Sequence, residues 1–172
     1  EFINLQDNDF LENNEDFKLL SDAAKQYGAS TKFSATEASE ALNYMALAGY
    51  DAKTSVSALP VVLNLAAAGN MDLASARDMV TDSLSMMGKG VDYAQQLTDE
   101  MAKTSQKSNT SVSQLGEAYK LCGASAAELK GGTAELNTLL GAFANVGYKG
   151  SEGGTHLRNV LMALKGSTAT SA

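Results

Sequence analysis

The chain is poor in the residues that build crosslinks and metal sites. It has 172 residues with no tryptophan, one proline, one cysteine and one histidine. A single cysteine, Cys122, excludes an internal disulfide framework, and with only His156 beside it the chain has too few soft ligands for a structural zinc site. No apolar run is long enough to span a membrane, and no signal peptide opens the chain. We therefore expect a soluble chain without cofactor or metal.

Clusters of lysine and arginine are also missing. The formal net charge of −7 comes mainly from an acidic lead, residues 1–23, in which six acids precede the first base, Lys18. The remaining acids and bases nearly cancel. Without a basic patch the chain lacks the electrostatic footprint that nucleic acids require, so nucleic-acid binding is not expected.

Helix formers and glycines dominate what is present. Hydrophobic residues make up 44% of the chain, enough for a core, and alanine, leucine and methionine outnumber β-branched and aromatic residues. Glycine recurs at intervals of about one helix plus a turn, which is typical of helix C-terminal caps. The predicted caps are Gly28, Gly49, Gly69, Gly88, Gly123 and Gly147.

Helix start signals follow several of these glycines. Ser34 with Glu37, and Ser111 with Gln114, have capping-box spacing. Asp72 and Asp92 suit N-cap positions. Apolar residues between the signals keep helical period, as in the predicted buried stripe Leu157, Val160, Leu161 and Leu164. The predicted helices are residues 14–27, 35–48, 53–68, 73–87, 92–104, 112–122, 133–146 and 154–165.

These signals predict an all-α fold, a compact multi-helix domain of about seven or eight helices built from αα-hairpins. The expected organisation is an acidic lead at 1–23, a helical domain at 24–165 and a flexible Ser/Thr/Ala-rich tail at 166–172. Pro60 is expected to kink or restart the third helix. The two ends resemble those of a fragment excised from a longer protein.

One phrase of the sequence occurs twice. "MALAGYDAKTSVSALPVVLNL" at 45–65 aligns with "FANVGYKGSEGGTHLRNVLMAL" at 143–164, so that Gly49-Tyr50 matches Gly147-Tyr148. In each copy a helix would end at glycine, tyrosine would cover the turn, and a Leu-x-x-Val-Leu face would pack back as an αα-hairpin. Chance similarity between two Ala/Leu-rich helices is the alternative interpretation.

Few residues suggest chemistry. Cys122 and His156 could form a nucleophile and base, but Cys122 lies on an apolar stripe where a buried, inert thiol is expected. Acid/base pairs could be drawn from neighbouring carboxylates, although solvated charge is the simpler interpretation. Those pairs are Glu37 with Glu40 and Asp99 with Glu100. We predict no catalytic, cofactor-binding or metal-binding residue.

Two further features have mainly structural interpretations. The glycine-rich segment 147–154 lacks the ending of a phosphate-binding loop and is interpreted as a turn between helices. The methionines are interpreted as core residues, although adjacent Met86 and Met87 cannot both face one core and would leave one side chain for a partner.

Three phrases resemble the conserved N-terminal region of phage tail tape measure proteins, also called phage-related minor tail proteins. They are T-x-F-S-A-x-E-A-x-x-A-L-x-x-M-A-x-A-G at 31–49, L-P-x-V-L-x-L-A-A-A at 59–68, and G-S-x-x-G-T-x-L-R at 150–158. The resemblance covers roughly residues 24–165.

The resemblance implies a non-enzymatic structural protein of a bacteriophage or prophage that sets tail length and leaves through the tail at infection. It implies tail tube subunits, tail assembly chaperones and other copies of itself as partners. The implied location is the virion tail, and the host bacterial cytoplasm during assembly. The alternative function is a phage-derived effector acting on the bacterial envelope, as a pore former or as the targeting domain of a cell-wall hydrolase.

Overall fold

The computed structural model describes residues 15–169, with side chains up to residue 166, and this part of the chain is helical without strands. The prediction of an all-α fold is confirmed. Within residues 15–169, eight α-helices and one 3-10 turn, Val91–Tyr93, follow one another. The helices are α1 (Glu15–Ser30), α2 (Ala35–Leu47), α3 (Ala52–Gly69), α4 (Leu73–Met86), α5 (Ala94–Lys107), α6 (Val112–Ala126), α7 (Gly132–Asn145) and α8 (Gly150–Ala169).

The chain forms two compact units, residues 1–64 and 65–172. In the first unit α1 packs against α2. Gly28 lies inside α1, where a β-carbon would collide with the backbone nitrogen of Ala35. The predicted cap at Gly28 is therefore wrong: this glycine allows close approach of the next helix, and α1 continues to Ser30.

Helix α6 is the centre of the second unit. It packs against α4, α5, α7 and most extensively α8. Its inner face is wholly buried and includes Leu115, Ala118, Tyr119 and Cys122. The cap predicted at Gly123 is wrong, because this glycine lies within α6. A β-carbon on Gly123 would lie 3.2 Å from Met86 Cβ, so the glycine allows close packing against α4.

Four helices end in the same hydrogen-bonded turn. At the end of α2, for example, Gly49 N–H donates to Ala46 O at 3.0 Å and Tyr50 N–H donates to Met45 O at 3.1 Å. This pairing is the Schellman motif, which needs a left-handed residue. The caps predicted at Gly49, Gly88 and Gly147 are confirmed. These glycines have left-handed φ values of 93°, 63° and 107°.

The cap predicted at Gly69 is wrong by one residue. Gly69 is the last residue of α3, and Asn70 takes the left-handed conformation with φ of 48°. Asparagine tolerates this region better than most residues with a β-carbon. Gly69, the preceding residue, has no β-carbon and so leaves space for the side chains of Met71 and Val112.

Most predicted helix starts are confirmed. Both capping boxes are complete, Ser34 with Glu37 and Ser111 with Gln114, and Asp72 accepts from Ser75 N–H at 2.8 Å. Asp92 is not an N-cap, because a 3-10 turn that includes it precedes α5.

Helix bounds differ from the prediction in informative places. Pro60 lies inside α3 and does not restart the helix. The last helix begins at Gly150 rather than at residue 154, so the glycines of 150–154 belong to its first turn. It also runs to Ala169, into the predicted tail 166–172, whose last three residues lie outside the described part. The acidic lead likewise lies outside it up to residue 14, whereas 15–23 are in α1.

The two copies of the repeated phrase have the same turn structure. Gly49 and Gly147 have the same conformation and the same pair of hydrogen bonds. In the second copy α7 packs against α8 as an αα-hairpin. The following Leu-x-x-Val-Leu faces differ: Leu59, Val62 and Leu63 are buried in the first copy, whereas the second copy exposes Val160. The predicted buried stripe on α8 is therefore wrong at Val160 and Leu164, while Leu157 and Leu161 are buried.

Within the part of the chain that the structure describes, no single helix is long and apolar enough to cross a membrane, although α3 and α4, bent by 116°, meet the criteria of length and composition as a pair.

Candidate functional site

The cysteine and histidine considered as a catalytic pair occupy different environments. Cys122 is fully buried in α6, and this burial raises the pKa of its thiol to about 12. His156 lies on the surface of α8, with its ring 4.5 Å from that of Tyr148 and its Nε2 3.9 Å from Glu152 Oε1. The side-chain contacts of His156 are with Tyr148 and Glu152 and not with Cys122, and a thiol with so high a pKa is a poor nucleophile at neutral pH.

The carboxylate pairs also have local partners. Glu37 accepts hydrogen bonds from the backbone N–H and the hydroxyl of Ser34, both at 2.8 Å, and these bonds lower its pKa. Asp99 and Glu100 accept from different glutamines, Gln95 and Gln96, one turn earlier in α5. Glu40 is exposed on α2.

The glycine-rich segment positions two helices against each other. Gly150, with φ of 53°, allows the chain to enter α8. Gly154 faces α6, where a β-carbon would lie 2.6 Å from Ala118 O and 2.7 Å from Ala118 Cα. The G-S-x-x-G-T-x-L-R phrase thus provides a close approach of α8 to the backbone of α6 at Gly154, and Leu157, further along α8, is buried.

The two adjacent methionines lie at the end of α4, Met86 as its last residue and Met87 as its C-cap. Met87 is buried, and Met86 is partly buried with its Cβ 3.2 Å from where a β-carbon on Gly123 would lie. Met86 is the more exposed of the two, and a partner for its side chain stays a prediction.

A buried polar network in the second unit had no signal in the sequence. Asn137 of α7 donates from Nδ2 to Tyr119 Oη and to the carbonyl oxygen of Thr133, both at 2.9 Å. The Thr133 hydroxyl bonds Tyr93 Oη at 3.0 Å. Burial raises the pKa of Tyr119 well above its usual value, and the nearby Glu100 carboxylate raises it further. These partners are far apart in sequence, so helical periodicity could not identify them.

Two oxygens of this network have no hydrogen-bond partner although they are buried. They are Asn137 Oδ1 and Glu100 Oε2. Both residues line a groove of about 410 Å³ between α5 and α7. Within residues 15–169, no group of three or more histidine, cysteine, aspartate or glutamate side chains is placed to hold a metal ion.

The sequence of the chain matches a known protein family. Residues 21–172 match the family described as phage-related minor tail protein. The chain therefore belongs to the phage-related minor tail protein family, whose members are structural components of phage tails.

A curated relative extends the comparison to one protein. The chain is 31% identical over 147 residues to the "Tape measure protein" of Pneumococcus phage Dp-1. The aligned region is 86% of this chain and 13% of that relative, so the chain spans only a small part of its length. No solved structure matches the chain.

Proposed function

We propose that this chain is a non-enzymatic assembly module of a tail tape measure protein, which helps to set tail length and leaves through the tail at infection. The observation that carries the proposal is the structural role of the 31–49 phrase, which aligns with the family. Ser34 and Glu37 form a capping box, Met45 is buried, and Gly49 closes the helix. Residues used for capping and packing are expected of a scaffold rather than an active site.

The expected partners are tail tube subunits, tail assembly chaperones and other copies of the chain. The expected location is the virion tail, after assembly in the bacterial cytoplasm. Support comes from the family and from the name of the phage Dp-1 relative.

Residence and release are tested on virions of a phage that encodes the parent protein. Quantitative mass spectrometry should detect peptides of residues 24–165 in intact virions and not in tails that have ejected their DNA. The major tail tube subunit, which remains in both samples, is the internal control. Absence from intact virions, or full retention after ejection, would contradict the proposal.

The envelope-acting alternative is tested with the purified chain. Incubation with bacterial cell walls should release no soluble muropeptides, and incubation with dye-loaded vesicles of bacterial lipids should release no dye. Lysozyme and a pore-forming peptide are the matched positive controls. Hydrolysis or dye release would favour the envelope-acting effector.

A further inference from the structure

The groove between α5 and α7 lies between two helices that run in the same direction. Tyr93, just before α5, bonds Thr133 near the start of α7. Asn109, just after α5, donates its backbone N–H to Asn145 Oδ1 at the end of α7, at 2.8 Å. Polar side chains of both helices line the groove, among them Lys103 and Lys107 on the α5 side.

The orientation of the Asn137 amide is fixed by its partners. The carbonyl oxygen of Thr133 can only accept a hydrogen bond, so the Asn137 atom that faces it must be Nδ2. Asn137 Oδ1 is consequently the atom without a donor, on a side chain that is only 2% exposed.

Glu100 adds a second unused acceptor and a negative charge. Its Oε1 accepts from Gln96 at 2.9 Å, whereas its Oε2 is buried without a partner. A buried acceptor without a donor is destabilising, and more so when it is charged. Lys103 and Lys107 line the same groove, and neither is a partner of the buried Glu100 Oε2.

We propose that this groove binds a primary ammonium group, which donates its N–H hydrogens to Glu100 Oε2 and Asn137 Oδ1. An ammonium group has three donors and no acceptor, so it matches two acceptors and one negative charge. Both oxygens are buried, and their residues are among those that line the groove. This inference does not depend on the proposed role in phage tails.

Lys103 and Lys107 indicate which second charged group the ligand carries beside its ammonium group. They lie about one and two turns along α5 from Glu100, roughly 5 and 10 Å at about 1.5 Å per residue. They repel a polycation and attract an anion at that distance. The ligand is therefore a basic group with a carboxylate a few ångströms away, as in a lysine side chain followed by an acidic residue on a partner protein, or a free amino acid.

The test is an NMR titration of the whole 172-residue chain. Butylammonium chloride should shift the Asn137 side-chain amide resonances in a saturable manner. Tetramethylammonium chloride at the same concentration has the same charge and no N–H donor, and should leave them unchanged. This comparison needs no mutation, so it does not depend on whether a variant folds.

Variants then assign the effect to the two acceptors. Glu100→Gln and Asn137→Leu should each weaken butylammonium binding by about tenfold or more, since a hydrogen bond to a charged group is worth about 1.5–3 kcal/mol. Asp99→Asn removes a neighbouring negative charge outside the groove and is the matched control, with binding unchanged. Circular dichroism checks that each variant folds.

A capped peptide containing lysine and, three residues later, glutamate distinguishes the two sources of the ligand. Binding tighter than that of butylammonium, with the gain lost in Lys103→Ala, supports a partner protein. Binding of free lysine as tight as that of the peptide supports a small amine. Equal shifts from tetramethylammonium, or no saturable shift from any N–H cation, would overturn the proposal and leave water as the partner of both oxygens.

Discussion

Gly154 of α8 lies directly over the backbone of Ala118 in α6, so closely that a β-carbon on Gly154 would approach the Ala118 carbonyl oxygen to 2.6 Å. Backbone atoms cannot move aside as a flexible side chain can. The contact joins the two helices that pack most extensively in the second unit. One glycine thus decides how closely α8 approaches the central helix.

Gly154→Ala should destabilise the chain by about 1–3 kcal/mol, because the added methyl group forces the helices apart. The matched control is Gly166→Ala in the same helix, where an added β-carbon meets nothing within 4 Å. There alanine should be neutral or stabilising by up to about 1 kcal/mol through its helix propensity. Urea denaturation followed by circular dichroism measures both. Equal stability of the two variants would show that α8 does not cross α6 at Gly154.

The repeated Gly-Tyr turns predict a second pair of effects. Gly49→Ala and Gly147→Ala should each cost about 1 kcal/mol, because a β-carbon is disfavoured at the left-handed φ of 93° and 107°. Asn70→Gly tests the same conformation in the opposite direction and should be neutral or stabilising. Thermal unfolding compares the three variants. A gain in stability for both alanine variants would mean that the helices run through these turns.

Cys122 should react slowly with a thiol reagent in the native chain and rapidly in denaturant. Its pKa of about 12, compared with 9.0 for an ordinary thiol, lowers the thiolate fraction at neutral pH. That fraction falls by roughly a thousandfold, and burial also blocks access of the reagent. Absorbance of the released reagent product gives both rates. Equal rates would place the thiol on the surface.

The same burial predicts a loss of stability in alkali. The raised pKa means that the folded chain keeps the Cys122 proton after the unfolded chain has lost it, so stability falls as pH rises from 9.0 towards about 12. Cys122→Ala should start less stable at neutral pH, because of the small cavity, and should lose stability less steeply over this range. A parallel pH dependence in both variants would contradict the assignment to Cys122.

The capping box of α2 predicts the opposite behaviour in acid. Bonds from Ser34 lower the Glu37 pKa, so their contribution is complete above the unfolded pKa and is lost as pH falls through the folded pKa. Ser34→Ala should cost about 1 kcal/mol at neutral pH and raise the Glu37 pKa, measured by NMR titration. Ser30→Ala removes an exposed hydroxyl bonded to Gln26 O and should do neither. An unchanged Glu37 pKa in Ser34→Ala would show that the box does not form in solution.

Local signals in the sequence predicted the helix ends well because each is encoded by neighbouring residues. The capping box depends only on Ser34 and Glu37, which are three residues apart in sequence. The helix end at Gly49 depends on the left-handed backbone conformation of that one residue. Glycines that serve distant contacts were mistaken for caps. Gly28 makes room for Ala35, and Gly123 for Met86, and nothing local distinguishes such a glycine from a helix stop.

The candidate binding groove could not be predicted for the same reason. Its acceptors, Glu100 and Asn137, belong to different helices, and Tyr119 of a third helix completes the network. The exposure of Val160 on α8 has the same origin: its spacing fits a buried stripe, but its burial would require another helix to pack against it. Periodicity identifies a helical face without identifying what lies against it.

Tail length is the measurement that tests the proposed tape measure role most directly. As one unbroken helix, residues 24–165 would span roughly 210 Å at about 1.5 Å per residue. The longest described helix is α8, with 20 residues, and glycine or asparagine turns separate α2 from α3, α3 from α4 and α7 from α8. These residues should therefore contribute far less than a continuous helix to the length of a tail.

An in-frame deletion of residues 24–165 from the parent phage gene, with tails measured by electron microscopy, decides the question. Gly166→Ala in the same gene is the control and should give tails of normal length. The deletion should yield either no tails, if the module is needed for assembly, or tails shortened by far less than roughly 210 Å. Infectious phage with tails of unchanged length would contradict a role in tail assembly, and shortening by the full helical length would show that the segment is extended along the tail.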